Sequence, residues 1–316
     1  MNIIKYHFGF EYGLFKKKLR YFLGSVFGYL TFHLSCNLKK SMKSNHIRSV
    51  YFHKPSPFLF EKFVKIMLKN SFKFISAERL EEILVKKMPI DAKYLVITID
   101  DGWRENLKLL SIIEKYQVYI TLFISTEPII TGNFWWEYVE YSNKNNSTKY
   151  IDKKALKRIN NQKRLEIISD LKSRFQLKKS ALSLEELVEF SKSRYITIGS
   201  HTITHPITIM CNDKELEEEY SGSKMMLEKW LGREIKYFAY PNGDYNAKDI
   251  FFLKKFNYKM AFCIKNELID NCTDFFQIPR FGMNDDGNFF ENRAKLFGIW
   301  QKFFSKKTKV NKGNLE

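Results

Sequence analysis

The stretch YLVITIDDGW, residues 94–103, decides how the chain is read. An apolar, β-branched run ends abruptly in two adjacent carboxylates, Asp100 and Asp101, followed by Gly102. Such a run suits a buried strand. Side chains alternate along a strand, so neighbouring aspartates are expected to point to different sides and to do different work.

The same pattern, a polar group just after a strand-like run, recurs along the chain. His53 follows SVYF, His201 follows YITIGS, Asn242 and Asp244 follow IKYFAYP, and Arg280 follows FFQIP. Helical patterns lie between these runs. SAERLEEILVKK opens on a Ser76 cap, LSLEELVEFSKS opens on a Ser183 cap, and ELEEEYSGSKMMLEKWLG reads as one helix. DKKALKRINNQKRLEIISDLKSRF reads as a long charged helical region. Strands alternating with helices predict an α/β fold with a parallel sheet, closed or doubly wound. The polar residues favour the barrel, because every C-terminal strand end of a parallel barrel faces one rim. No GxGxxG or P-loop pattern supports binding of a nucleotide phosphate.

The 316 residues are 44% hydrophobic and 28% charged, which suits a folded chain with a substantial core. The formal net charge is +18, spread along the sequence with local density at Lys16, Lys17, Lys18 and Arg20 and again near Lys306. No zinc-finger, homeodomain or RNP-like pattern accompanies it, so nucleic acid is not an expected partner. The four cysteines form no C-x-x-C pair and no disulfide framework. They read as reduced thiols, in keeping with the cytoplasm or the cytoplasmic face of the inner membrane.

Residues 15–36, FKKKLRYFLGSVFGYLTFHLSC, are basic and then moderately apolar. The apolar run falls short of the ~20 residues that span a bilayer. It reads as an amphipathic segment on an anionic membrane surface or as a helix packed on the domain, with an uncleaved export anchor as a third option. Peripheral membrane contact is thus placed at residues 15–48. The expected organisation is a basic N-terminal segment at 1–48, a catalytic domain at 49–292 with a helical insertion at about 140–192, and a basic tail at 293–316.

The strongest local signal for chemistry is GSHTITHP, residues 199–206. His201 and His205 are spaced i, i+4, which puts both imidazoles on one helical face or across a tight loop. Two imidazoles and a carboxylate form a common catalytic zinc set with a position left open. The aromatic run FWWEYVEY, residues 134–141, is either a rim platform for a sugar face or a core and lid element.

Three stretches, TIDDG at 98–102, HTITH at 201–205 and YPNG at 240–243, resemble in order and spacing the first three motifs of the NodB-type polysaccharide deacetylases, carbohydrate esterase family 4. The resemblance covers roughly residues 49–285 and implies a distorted (β/α) barrel, here with an N-terminal helical extension. It implies a metal-dependent hydrolase that removes an N-acetyl group from an amino sugar of a bacterial glycan or glycan precursor. A deformylase or deacetylase of a lipid-linked sugar, and an inactive glycan-binding homologue, are the alternatives. Asp101, His201 and His205 would hold a divalent metal, zinc by ligand type, with cobalt, nickel or iron fitting the same donors. Asp100 would be the general base, since a carboxylate bound to metal has lost much of its basicity. The backbone amide of Asn242 would face the oxyanion.

The chain departs from the family pattern at several places. Ile99 replaces a common phenylalanine, and Ala239 stands where an arginine often opens the third motif. Arg280, in IPRFG, matches a proline–arginine pair of one subgroup and is expected to orient Asp100. No histidine follows His205, so the proton for the leaving nitrogen must come from upstream. Among His7, His33, His46 and His53, only His53 follows a strand-like run. SVYFHKPSP resembles the tyrosine–histidine motif of the poly-N-acetylglucosamine deacetylases with permuted motif order, with Phe52 in place of the tyrosine, and this assigns His53 as the general acid.

Overall fold

A computed structural model of the protein describes residues 22–26, 29–30, 45–145 and 150–297. Eight strands run through it: β1 His46–Phe52, β2 Phe72–Phe74, β3 Lys93–Ile99, β4 Ile120–Ile124, β5 Ile196–Ser200, β6 Tyr237–Ala239, β7 Met260–Ile264 and β8 Ile278–Gly282. Each pairs parallel with its neighbours in the order β1-β8-β7-β6-β5-β4-β3, and β3 returns to β1. The seven close into a barrel, and β2 adds onto the start of β3. The wall is uneven. β1 and β3 pair over seven residues, from His46 opposite Lys93 to Phe52 opposite Ile99, whereas β5 and β6 meet only at Ser200 and Phe238.

The strands are buried on both faces, as a helix-wrapped parallel barrel requires. Alternate residues part into two cores. Ile47, Val96, Phe123, Met260, Phe262 and Ile278 pack together on one side. Val50, Phe52, Leu95, Ile97, Ile99, Leu122 and Ile124 pack with apolar residues of the surrounding helices, such as Phe60, Phe63 and Val64. Truncating one such Leu or Ile to Ala costs about 2–5 kcal/mol.

Serine caps begin the helices where the sequence placed them. Ser76 accepts from Arg79 N at the start of Ala77–Val85, and Ser183 forms a capping box with Glu186 at the start of Leu184–Phe190. Three elements differ from the sequence reading. The long charged region is two helices, Lys153–Leu156 and Asn161–Arg174, because Asn160 breaks it and caps the second through its side chain. The helix after the second motif is interrupted: Asp213–Glu217 passes through one π turn, Glu218–Gly222, into Ser223–Leu231. β2 was not expected, being too short to carry an alternating pattern.

The predicted amphipathic segment at 15–48 lies largely outside the described residues. Its described parts, 22–26 and 29–30, are helical, and the Tyr29 ring meets Phe290 edge-on at 5.8 Å. The first strand starts at His46, ahead of the expected domain start, and buries Arg48, whose guanidinium donates to Leu296 O at 2.6 Å. A helix spans Phe289–Leu296. The basic tail beyond 297 lies outside the described residues. Among the described residues, no helix is long and apolar enough to cross a membrane.

Candidate active site

At the C-terminal end of β3 the chain leaves the ladder in two steps. The Asp100 amide donates to Phe52 O at 2.9 Å, still in the pattern of the β1–β3 pairing. Asp101 then takes a left-handed conformation, φ +78°, and Gly102 follows at +97°. Aspartate tolerates this region better than most residues. The two carboxylates therefore diverge because the backbone turns between them. Strand alternation, the expected cause, has already ended at Ile99.

Asp101 turns towards the second motif. Its Oδ1 lies 3.6 Å from His201 Nε2 and 3.5 Å from His205 Nε2, and all three residues are buried. One donor atom from each falls within 4.8 Å of the others. The two histidines sit across a tight loop after β5, not on a helix: Thr202 has φ +70° and His205 φ +51°. His201 Nδ1 lies 2.7 Å from Ala239 O, which fixes the tautomer and leaves Nε2 with its lone pair facing Asp101. Burial pushes the pKa of both imidazoles down, and His205 well down, so both are neutral and fit to ligate. Trp103 Nε1 donates to Asp101 Oδ2 at 2.9 Å, leaving Oδ1 towards the imidazoles. A carboxylate oxygen and two neutral imidazole nitrogens converging in this way suit a divalent metal such as zinc.

Asp100 turns the other way, into the barrel. Arg280 Nη1 donates to Asp100 Oδ1 at 2.7 Å and to Thr98 Oγ1 at 2.9 Å. Arg280 lies within β8, opposite Ile264, not beyond the strand end, and is wholly buried. Its guanidinium stands over the rings of Tyr51 at 4.7 Å and Phe123 at 5.6 Å. Burial alone would raise the pKa of Asp100. The Arg280 charge and hydrogen bond, with His201, outweigh it and hold the carboxyl below its ordinary value.

His53 follows β1, one residue past the pair of Phe52 with Ile99, which sets it level with Asp100. Its Nδ1 lies 3.4 Å from Asp285 Oδ2, and its backbone N–H donates to the same carboxylate. Burial lowers its pKa, but the Asp285 hydrogen bond and the charges of Asp101, Asp285 and Asp100 outweigh that and lift it to about 9. Of the other candidate acids, His46 lies at the opposite end of β1 and accepts from Arg48 Nε. His7 and His33 lie outside the described residues.

Asn242 follows Pro241 in a left-handed turn, φ +59°, with Gly243 at +77°. Its side chain accepts from Lys157 Nζ at 2.8 Å, so the connection between β4 and β5 reaches the third motif. The aromatic run divides. Phe134 and Trp135 are buried, whereas Trp136 stacks on Phe134 and meets the edge of His205 at 4.9 Å. Asp285, Trp103 and Lys157 are polar partners that the sequence reading missed. Asp285 had a local signal: it stands in NDDG just after β8, as Asp100 and Asp101 stand just after β3. Lys157 had none.

The sequence profile of the polysaccharide deacetylase family matches residues 87–261, more than half of the chain. The chain belongs to the polysaccharide deacetylase family. It is thus a hydrolase of carbon–nitrogen bonds other than peptide bonds. The family is metal-dependent, and among the described residues Asp101, His201 and His205 form a buried group that could hold a metal ion. Solved deacetylase structures share the barrel at low identity. The Streptococcus pyogenes deacetylase PplD, solved in complex with acetate, is 17% identical, with 80% of this chain and 98% of that one covered at a TM-score of 0.60. IcaB from Ammonifex degensii is 15% identical, covering 81% and 98%, also at 0.60. The BpsB deacetylase domain from Bordetella bronchiseptica is 10% identical, covering 75% and 96% at 0.52. No curated protein matches the sequence.

Proposed function

We propose that this deacetylase removes an N-acetyl group from an amino sugar of a bacterial glycan or glycan precursor, with a divalent metal, most suitably zinc, on Asp101, His201 and His205. The observation that carries the reading is the division of two adjacent carboxylates, one facing two neutral imidazoles and the other facing Arg280. A divalent cation on this set would supply Lewis acidity, polarising the amide carbonyl and acidifying water. Asp100, kept ionised by Arg280, takes the proton from the attacking water. The backbone N–H of Asn242 faces the developing oxyanion, a donation worth about 3–4 kcal/mol in comparable sites. His53, held protonated by Asp285, delivers a proton to the leaving nitrogen. Trp136 beside His205 offers an aromatic face to the sugar ring.

Acetate release from N-acetylglucosamine oligomers, measured with and without chelator, tests the reading. Loss of turnover on chelation, its return with zinc, and inactivity of Asp100→Asn are expected. Turnover that survives both chelation and that substitution overturns it.

A second reading keeps the chemistry and places the sugar on a lipid carrier at the cytoplasmic face of the inner membrane. The exposed Phe22, Leu23, Val26 and Leu30 of the N-terminal helical residues favour it, together with the basic residues that flank them in sequence. Co-sedimentation with anionic vesicles should be lost on deleting residues 1–45 while turnover of soluble oligomers remains. Equal partitioning of the two proteins removes this reading.

A further inference from the structure

The loop that carries both histidines is an unfavourable backbone on its own. Thr202 and His205 are non-glycine residues in the left-handed region, where such residues cost of order ~1 kcal/mol or more and persist only if their surroundings hold them. Thr202 O and Ile203 O accept from the backbone N–H groups of Thr126 and Glu127, and one buried carboxylate takes up donors of the loop itself. Glu219 Oε2 accepts from the backbone N–H groups of Ile203 at 2.7 Å and Thr204 at 3.0 Å, and Oε1 accepts from Thr204 Oγ1 at 2.6 Å. Glu219 sits on the π turn Glu218–Gly222, a widened turn of the kind often found at functional sites.

The same hydroxyl continues to the β4–β5 connection. Arg164, on the helix Asn161–Arg174 and 2% exposed, donates from Nη2 to Thr204 Oγ1 at 3.0 Å and to Asn161 Oδ1 at 2.8 Å. Trp135, whose ring lies 5.4 Å from the Arg164 guanidinium, donates from Nε1 to His205 O at 3.2 Å. The buried Glu219 carboxyl group and the buried Arg164 guanidinium group thus meet through one threonine hydroxyl, one residue before His205.

We infer that Glu219 and Arg164 are positioning residues that act through Thr204 to set His205 towards Asp101, making the β4–β5 connection part of the metal site. None of the three touches a donor atom of the Asp101–His201–His205 group. Glu219 holds the backbone that leads to His205, Arg164 reaches it through the Thr204 hydroxyl, and a hydroxyl at 204 is what the arrangement needs. The inference rests on the metal reading of that group.

Zinc affinity of the full-length protein, measured by competition with a chromophoric chelator, tests it. Thr204→Val and Glu219→Gln should each weaken binding by about 10-fold to 100-fold, the range for groups that orient metal ligands. Thr204→Ser, which keeps the hydroxyl, should bind as the wild type does. Arg164→Met should weaken binding alone but add little in the Thr204→Val background, since both act through one hydroxyl. If Glu219→Gln does not fold, the Thr204→Val and Thr204→Ser pair decides. Unchanged affinity in folded Thr204→Val, or equal losses in Thr204→Val and Thr204→Ser, overturns the inference. Asp101→Asn separates the two levels: wild-type affinity there overturns the metal reading itself, whereas lost affinity there with full affinity in Thr204→Val overturns only the positioning role.

Discussion

Arg280 closes on Asp100 at 2.7 Å inside the barrel, with its guanidinium wholly buried. Two charges taken out of water are tolerable only as a pair, and removing one strands the other. Arg280→Met should therefore cost about 3–5 kcal/mol of stability by urea unfolding at pH 7. The lowered pKa of Asp100 stabilises the fold above its ordinary carboxylate range, and that contribution is lost as pH falls through the folded value. The gap between wild type and variant should accordingly narrow on acidification. Arg280→Lys keeps the charge but not the two-way reach to Asp100 and Thr98, and should fall between the two.

Trp103 fixes the other aspartate by donating Nε1 to Asp101 Oδ2 at 2.9 Å. Trp103→Phe keeps an aromatic ring beside Phe134, which lies 4.2 Å from the Trp103 ring, and removes the donor together with part of the indole. Metal affinity by chelator competition should fall by about 10-fold, the lower end for loss of a partner that orients a ligand.

Much of the barrel is legible in the sequence because its strands are short β-branched or aromatic runs between capped helices. YLVITI, VYITLFIS and YITIGS each carry that signal, as do Ser76 and Ser183 for their helices. β2 has three residues and no period to detect. The π turn at Glu218–Gly222 leaves the apolar pattern of its helix almost unchanged, so the sequence reads as one continuous element. Asp100, Asp101, His201 and His205 stand out because they cluster at strand ends in short motifs. The residues that orient them do not. Lys157 meets Asn242 and Arg164 meets Thr204 across a long stretch of chain. Such contacts are fixed by how the β4–β5 connection folds back on the rim, which no local spacing encodes.

Gly243 has φ +77°, and a Cβ there would come within 2.6 Å of Ile264 Cγ1 and 2.8 Å of Ile264 Cβ. Strain and overlap both oppose a side chain, and relief requires the Asn242–Gly243 turn to move. Gly243→Ala should then displace the Asn242 amide from the oxyanion. Loss of one such donor lowers kcat by about 10²–10³-fold. KM for the oligomer should change little, because the ground-state carbonyl does not depend on that donor to the same degree. An equal change in kcat and KM, read from initial rates over substrate concentration, would assign the turn to substrate binding instead.

With His53 as the proposed acid, His53 and Asp285 should set the pH dependence of the reaction. An acid must carry its proton, so turnover holds below the pKa of His53 and falls as pH rises through it. Asp285 and the neighbouring aspartates lift that value from 6.5 to about 9. Water screens part of this pull, since the His53 side chain is 43% exposed, and a divalent cation on Asp101 would cancel more of it. The alkaline limb of kcat/KM should therefore lie between these two values. Asp285→Asn removes the hydrogen-bonded charge and should bring the limb down towards ~6.5, the ordinary imidazole value, while leaving the acid limb in place. The raised pKa also stabilises the fold, fully below 6.5 and no longer above about 9, so Asp285→Asn should cost stability at pH 6 and little at pH 10. His53→Gln should lower kcat by about 10²–10⁴-fold and abolish the alkaline limb. If that limb survives in His53→Gln, the proton for the leaving nitrogen comes from another group.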